Sequence, residues 1–272
     1  MTAATLSLLI VARNEEQQIE NCITSCACAD EVVVALDRSD DRTAEIAVSL
    51  GAKIVEGAWE DEGIRRTAAI DACTCDWVIE LDSDERISSA LGAEIKERIA
   101  SGNADYYVIP FHNYVGGKWI EHGWGAYNGV AAKACLFRRG MKRWVPGPVH
   151  PEIQLSGQRG KLVGHIDHYV YENIGDMFDR LNRYSTLAAI QALEGGPAPR
   201  LRSSLRRIFS RAFKSYISRK GRREGAYGIA LALFSALYPI MTYIKYTVAE
   251  EGVLGIPTRA EQDEPASEKE RE

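Results

Sequence analysis

The segment Trp77–Arg86, WVIELDSDER, begins as an apolar run and ends in Asp82, Ser83, Asp84 and Glu85. A run of this kind reads as a strand buried on both faces of a sheet, with its carboxylates at the strand's carboxyl end. Upstream, Ile64 to Ala72 reads as a helix, preceded by a strand over Lys53 to Val55. Further back, Thr43, Ile46, Ala47 and Leu50 share one helical face, and Gly51 closes that helix. Val32 to Leu36 is a strand before it. At the start of the chain, Leu6 to Val11 is a continuous apolar run, Arg13 to Gln18 is polar, and Ile19, Cys22, Ile23 and Cys26 recur at helical spacing. Strand and helix therefore alternate, which predicts an α/β fold with a parallel sheet covered on both faces. Such sheets bind ligands beyond the carboxyl ends of their strands.

That position gives the acids at 82, 84 and 85 a chemical reading. Hard oxygen donors suit Mg²⁺ or Mn²⁺, and a divalent ion bridging a diphosphate offsets charge on a leaving group. The plainer reading is a helix N-terminus, where acids are favoured next to Ser88 and Ser89. The second strand also ends in an acid, Asp37, within LDRSDDRT, and Arg66 lies on the helix leading into the Asp82 strand. Two strand-end acids and an arginine could together hold a base, a ribose and a phosphate. Taken singly, Asp40 and Asp41 are helix caps and Arg66 is a solvated helix residue.

Beyond a further helix marked by Leu91, Ile95 and Ile99, the alternation degrades. Tyr106 to Phe111, a Gly- and Trp-rich stretch from Gly116 to Gly129, and a strand over Lys133 to Arg138 are expected to shape an acceptor site. From Met177 the pattern turns helical through Phe178, Leu181, Tyr184 and Leu187, then breaks at Gly195, Gly196 and Pro197.

The 272 residues are 46% apolar and 26% charged, which suits an ordinary globular core and excludes collagen, coiled coil and wholesale disorder. The formal net charge of −5 is unevenly spread: Arg200 to Arg223 holds ten Lys or Arg and no acid, so the rest of the chain carries −15. Within it, Arg206, Arg207, Arg211 and Lys214 interleave with Leu205, Ile208, Phe209, Phe213 and Tyr216, the pattern of a helix lying on an anionic surface. Twenty uncharged residues follow, Gly225 to Ile244. They suit an interfacial helix, a membrane span weakened by Pro239, Ser235 and abundant Ala, or a helix buried on the α/β domain. Six cysteines with no apolar signal segment before them point to a reducing, cytoplasmic compartment, with Cys22, Cys26 and Cys28 as small core residues rather than a metal site. The tail from Arg259, with six acids and three bases, is expected to be disordered.

ARNEE at 12–16, LDRSDDRT at 36–43, GIRRTAAIDA at 63–72 and WVIELDSDER resemble family 2 glycosyltransferases of the GT-A fold. LFRRG, PVHPEI and DRLNRYSTLAA extend the likeness toward the lipopolysaccharide core β-glucosyltransferase subgroup. The resemblance implies a GT-A, Rossmann-like, mainly parallel sheet with a C-terminal helical extension. The expected organisation is a catalytic domain over 1–173, a basic and apolar membrane-associating extension over 174–256, and an acidic tail over 257–272. It implies that Ala12, Arg13, Asn14 and Glu15 line the nucleotide pocket and that Asp37 and Arg66 contact the base. Asp82 and Ser83 would lie at the ribose, and Asp82 and Asp84 would hold the metal diphosphate. It implies Mg²⁺ or Mn²⁺, a UDP-sugar donor, inversion at the anomeric carbon and a lipid-linked glycan acceptor. An anionic membrane surface is the expected partner, at the cytoplasmic face of the inner membrane, and no nucleic acid. The chain departs from the family at Leu36, where the second-strand acid often stands, and at Cys75, where Gly is usual; it also lacks the QxxRW of processive synthases. Single addition is therefore expected.

Inversion needs a base for the acceptor hydroxyl. Glu152 and His150 in PVHPEI are the candidates, ahead of Asp167 and His168; His165 and His168 also fit an ordinary strand with alternating faces. A sugar nucleotidyltransferase would need a Gly-rich phosphate loop where ARNEE stands, and a noncatalytic scaffold would leave the strand-end carboxylates without a purpose.

Overall fold

The computed structural model describes residues 3–59, 61–125, 129–145 and 152–251. Its elements run β1 (Leu6–Ala12), α1 (Ile19–Ser25), β2 (Glu31–Asp37), α2 (Thr43–Ser49), β3 (Lys53–Gly57), α3 (Glu62–Ala72), β4 (Trp77–Asp82), β5 (Glu85–Ile87) and α4 (Ser89–Ser101). Then come β6 (Tyr106–Val115), β7 (Lys118–Trp119), β8 (Ala132–Arg138), β9 (Lys142–Val145), β10 (Glu152–Leu155), β11 (Arg159–Lys161) and β12 (Ile166–Tyr171). The chain closes with α5 (Ile174–Leu193), α6 (Leu201–Phe213), short π and 3₁₀ turns, and α7 (Ala226–Glu250).

The main sheet has the order β3-β2-β1-β4-β8-β6-β12-β5. Its first four strands are parallel, and β8 joins antiparallel on both sides. The apolar β1 is buried along its whole length, as a central strand covered on both faces must be. One face packs Leu8, Ile10, Ile79 and Leu81 under α1 and α4; the other packs Leu9, Val33, Val78 and Phe137 with Ala69 and Ile70 of α3. The α/β alternation expected from the sequence is present, and Cys22 and Cys26 are buried core residues.

The chain divides into two compact units, one of Met1–Asn113 with Val130–Tyr169, the other of Tyr114–Gly129 with Val170–Glu272. The second unit has its own apolar cluster of Val115, Ile120, Val170, Tyr171, Met177, Leu231 and Phe234, with Trp124 stacked on Tyr171. Gly228 lets α7 cross the turn at Gly221 closely, since a Cβ there would lie 1.8 Å from the Gly221 carbonyl oxygen. By length and composition α7 could cross a membrane. Leu231, Ala232, Phe234, Ala236 and Pro239 are buried within the unit, whereas Ile229, Leu233, Leu237 and Ile244 are exposed.

Candidate active site

The parallel register places Ala12 opposite Leu36 and Val11 opposite Asp82. Asp37 and Asp82 therefore flank the end of the central strand β1, where a sheet of this kind presents its ligands. The loop after β1 is tied to the loop after β2. The Asn14 N–H donates to Ser39 Oγ at 3.1 Å, the Asp40 N–H to Asn14 Oδ1 at 3.0 Å, and the Glu15 N–H to Thr43 Oγ1 at 2.8 Å. Asn14 adopts φ 54°, a left-handed conformation that asparagine tolerates better than most residues. Ala12 to Glu15 is thus a shaped segment beside the strand ends, and Asp41, one residue before the α2 N-cap Arg42, accepts from the Thr43 N–H at 2.9 Å.

Helix α3 begins on Asp61, whose Oδ1 accepts from the N–H groups of Gly63 and Ile64. Successive helical residues are turned by about 100°, so its two arginines part company. Arg65 reaches Asp37 at 3.4 Å, and Arg38 holds the same carboxylate at 2.9 Å. Arg66 turns to β4, donating to Glu80 at 2.7 Å, Asp82 at 2.9 Å and Glu62 at 2.8 Å, with its guanidinium over Trp144. Asp37 and Arg66 do not meet; of the two α3 arginines, Arg65 is the one beside Asp37. Arg66 is not a solvated helix residue, its side chain being 13% exposed.

Glu80, inside the apolar strand, also accepts from Lys142 Nζ at 2.6 Å and from Trp144 Nε1. Burial opposes its charge, but Lys142 and Arg66 overcome that cost and keep the carboxyl below its ordinary range. Asp82 shows the same balance: burial works against ionisation, and Lys133, at 2.7 Å, with Arg66 holds it well below the ordinary range. Glu85 is fully buried, pairs with the same Lys133 and accepts from the Asp82 N–H. Burial and then the neighbouring Asp82 charge push its carboxyl up to about 8, against the opposing pull of Lys133.

Asp84 faces His168, carboxylate to Nε2 at 3.6 Å. The tautomer of that histidine follows from its neighbours. Asn113 gives its amide N–H to the Val130 carbonyl and takes the Val130 N–H on Oδ1, so Oδ1 also accepts from His168 Nδ1 at 2.9 Å. With Nδ1 donating to Asn113, Nε2 is the ring nitrogen that faces Asp84. Ligand atoms of Asp84, Glu85 and His168 lie within 4.8 Å of one another. Two carboxylates and an imidazole form a donor set that fits Mn²⁺ or Mg²⁺. Asp82 has both oxygens engaged by Arg66 and Lys133, Glu85 has both engaged by Lys133 and the Asp82 N–H, and Asp84 is the carboxylate of the three that faces His168. Ser83 is buried, and Ser88, not these acids, caps α4 through the Leu91 N–H.

Glu152 opens β10, exposed and paired in register with Val145. His150 lies outside the described residues. The residues that sequence reading passed over are Arg65, Glu80, Asn113, Lys133 and Lys142. Only Glu80 carried a visible signal, as a charge inside a strand buried on both faces.

Residues 7–146, just over half of the chain, match the family model Glycosyl transferase family 2, and the chain belongs to that family. A lipopolysaccharide core biosynthesis glycosyltransferase of Rhizobium meliloti, LpsC, is 26% identical over 249 residues, covering 88% of this chain and 91% of that protein. An uncharacterised glycosyltransferase of Rickettsia bellii is 39% identical over 104 residues, 38% of this chain. The match takes in about a third of that relative's length, 35%. Among solved structures, Staphylococcus aureus TarS aligns over 91% of this chain and 92% of its own, with TM-score 0.45 and 13% identity. Glucosyl-3-phosphoglycerate synthase of Mycobacterium tuberculosis, solved with Mn²⁺, UDP and glucosyl-3-phosphoglycerate, aligns over 41% of this chain and 44% of its own, with TM-score 0.35 and 22% identity.

Proposed function

We propose that the chain is an inverting hexosyltransferase that moves a sugar, glucose, from a UDP-sugar to a lipid-linked acceptor in the lipopolysaccharide inner core. The observation that carries this reading is the end of β4, where Asp84 meets the Nε2 of His168 beside the salt-bridged Asp82. Asp84, His168 and Glu85 would hold Mg²⁺ or Mn²⁺, which supplies positive charge to a departing diphosphate. Ala12 to Glu15 and Asp37, steadied by Arg38 and Arg65, receive the base and ribose, and Arg66 fixes Asp82 at the strand end. Glu152, exposed at the start of β10, accepts the proton of the acceptor hydroxyl as the new glycosidic bond forms, with His150 as the other candidate base.

The lipid-linked acceptor draws support from the LpsC likeness along most of the chain and from the surface of α6. There Leu201, Leu205, Phe209 and Phe213, four residues apart, are exposed among Arg202, Arg206, Arg207 and Lys214. An exposed apolar stripe edged with cations suits an anionic bilayer at the cytoplasmic face of the inner membrane.

Asp84→Ala should abolish transfer from UDP-glucose while the circular dichroism and melting point stay near those of the parent. Near-normal turnover of that variant in chelator would defeat the reading. Calorimetry should show UDP binding more tightly than GDP, and mass analysis of lipopolysaccharide from a deletion strain should show one hexose missing from the inner core.

A further inference from the structure

His112, on β6, and His165, just before β12, stack their imidazoles with ring centroids 3.5 Å apart and planes 21° from parallel. Asp167, the second residue of β12, places Oδ1 3.5 Å from His165 Nε2. Ligand atoms of the three side chains lie within 4.8 Å of one another. The same Asp167 oxygen is shut off from solvent and accepts no hydrogen bond. A carboxylate oxygen left so keeps the cost of its lost hydration unless something supplies positive charge.

We propose that His112, His165 and Asp167 form a second cation site, for a zinc-class divalent ion. The chemistry of the donors selects the metal: two imidazole nitrogens and one carboxylate oxygen favour a borderline-soft ion, whereas the two carboxylates of Asp84 and Glu85 favour Mg²⁺ or Mn²⁺. The spacing agrees with this. Zinc bonds of about 2.0–2.1 Å in tetrahedral geometry set ligand atoms about 3.4 Å apart, close to the His165–Asp167 separation, and the stacked rings of His112 and His165 must open for both nitrogens to reach one ion. Three protein ligands leave the fourth position to water.

The position gives the site a structural consequence. β6 and β12 are neighbours in the sheet, and successive strand residues point to opposite faces. Asn113 and His168, which meet on one face, are each one residue away from His112 and Asp167 on the other. An ion on the second face joins the two strands directly behind the pair that sets the tautomer of His168. The proposal is independent of the activity proposed above, because it concerns a different set of ligands.

Full-length protein stripped with chelator is titrated with Zn²⁺ by calorimetry and with Co²⁺ by visible absorption, alongside Asp84→Ala, His165→Gln and Asp167→Asn. One equivalent of ion should persist in Asp84→Ala, and His165→Gln should weaken it at least tenfold. Asp167→Asn, nearly isosteric, should weaken it as well, which keeps the test valid where the histidine variant folds poorly. The Co²⁺ spectrum should lack a thiolate charge-transfer band. No retained equivalent in Asp84→Ala, undiminished affinity in both His165→Gln and Asp167→Asn, or a thiolate band assigning the ion to the Cys26–Cys28 pair would each overturn the site.

Discussion

Arg66 and Arg206 are the same residue type in opposite circumstances. Arg66 is buried on α3, with its guanidinium divided among Glu62, Glu80 and Asp82 and covered by Trp144. Arg206 is exposed on α6, within a segment from Arg200 to Arg223 that contains no acid, beside apolar side chains that are themselves exposed. Around β4, positive charge is consumed internally: Lys133 pairs with Asp82 and Glu85, and Lys142 with Glu80. Along α6, positive charge faces outward. Each buried ion at β4 depends on its partners, because an uncompensated charge there keeps the full cost of leaving water. On α6 water already solvates the charge, and its energetic worth depends on what approaches from outside.

The sharpest way to break this contrast is a matched pair of substitutions. Arg66→Ala should destabilise the fold by about 3–5 kcal/mol in denaturant melts, because Glu80 and Asp82 lose their shared partner. Arg206→Ala should stay within about 0.5 kcal/mol of the parent. Equal effects would mean that the β4 network contributes no more than surface charge does.

The next effect concerns binding and leaves stability alone. With about 1 kcal/mol from each Lys or Arg near an anionic surface, docking on phosphatidylglycerol vesicles should weaken steeply with salt, since screening shortens to about 3 Å at 1 M. Phe209→Ser combined with Phe213→Ser should lower vesicle affinity at least tenfold, from about 1.5–3 kcal/mol per buried phenylalanine. A high-salt wash of membranes should release part of the protein and leave the rest for detergent. Full recovery in the soluble fraction at low salt would remove the bilayer from the account of α6.

The smallest effect tests burial among like groups. Cys28 is half-buried, and its contact with the Cys26 thiol 3.7 Å away, with Lys96 nearby, lowers its thiol below the ordinary cysteine range despite that burial. Burial pushes Cys73 and Cys135 up to about 12. Iodoacetamide should therefore label Cys28 at a lower pH than an ordinary thiol, the thiolate being the reactive form, while Cys73 and Cys135 stay unlabelled in the folded protein. Labelling of all three together would indicate a looser core than the packing describes.

Reading the chain alone reached the layers of the α/β unit and the place of its acids for a local reason. Periods of two and 3.6 residues are written in neighbouring side chains, and Leu6–Val11, Val32–Leu36 and Trp77–Leu81 each announce a buried strand without reference to any other segment. Once three such strands lie parallel, Asp37 and Asp82 must come to the same edge. The exposure of α6 was legible likewise, since charge and apolar residues alternate along one short segment.

Tertiary structure decided the pairings. GIRRTAAIDA offers two arginines to the acids, and only the rotation of α3 over the sheet assigned Arg65 to Asp37 and Arg66 to Asp82. The partner of Asp84 lies 84 positions further along the chain, at His168, where the strand periodicity equally suited an ordinary core histidine. Its Nε2 faces Asp84 because Nδ1 is held by Asn113, itself oriented by Val130, a chain of dependence across three segments. Periodicity says which face of a strand is apolar and nothing about which distant side chain fills the space opposite. That choice belongs to register and close packing, where a one-residue slip in β12 would exchange His168 for Asp167 on the face that carries the site.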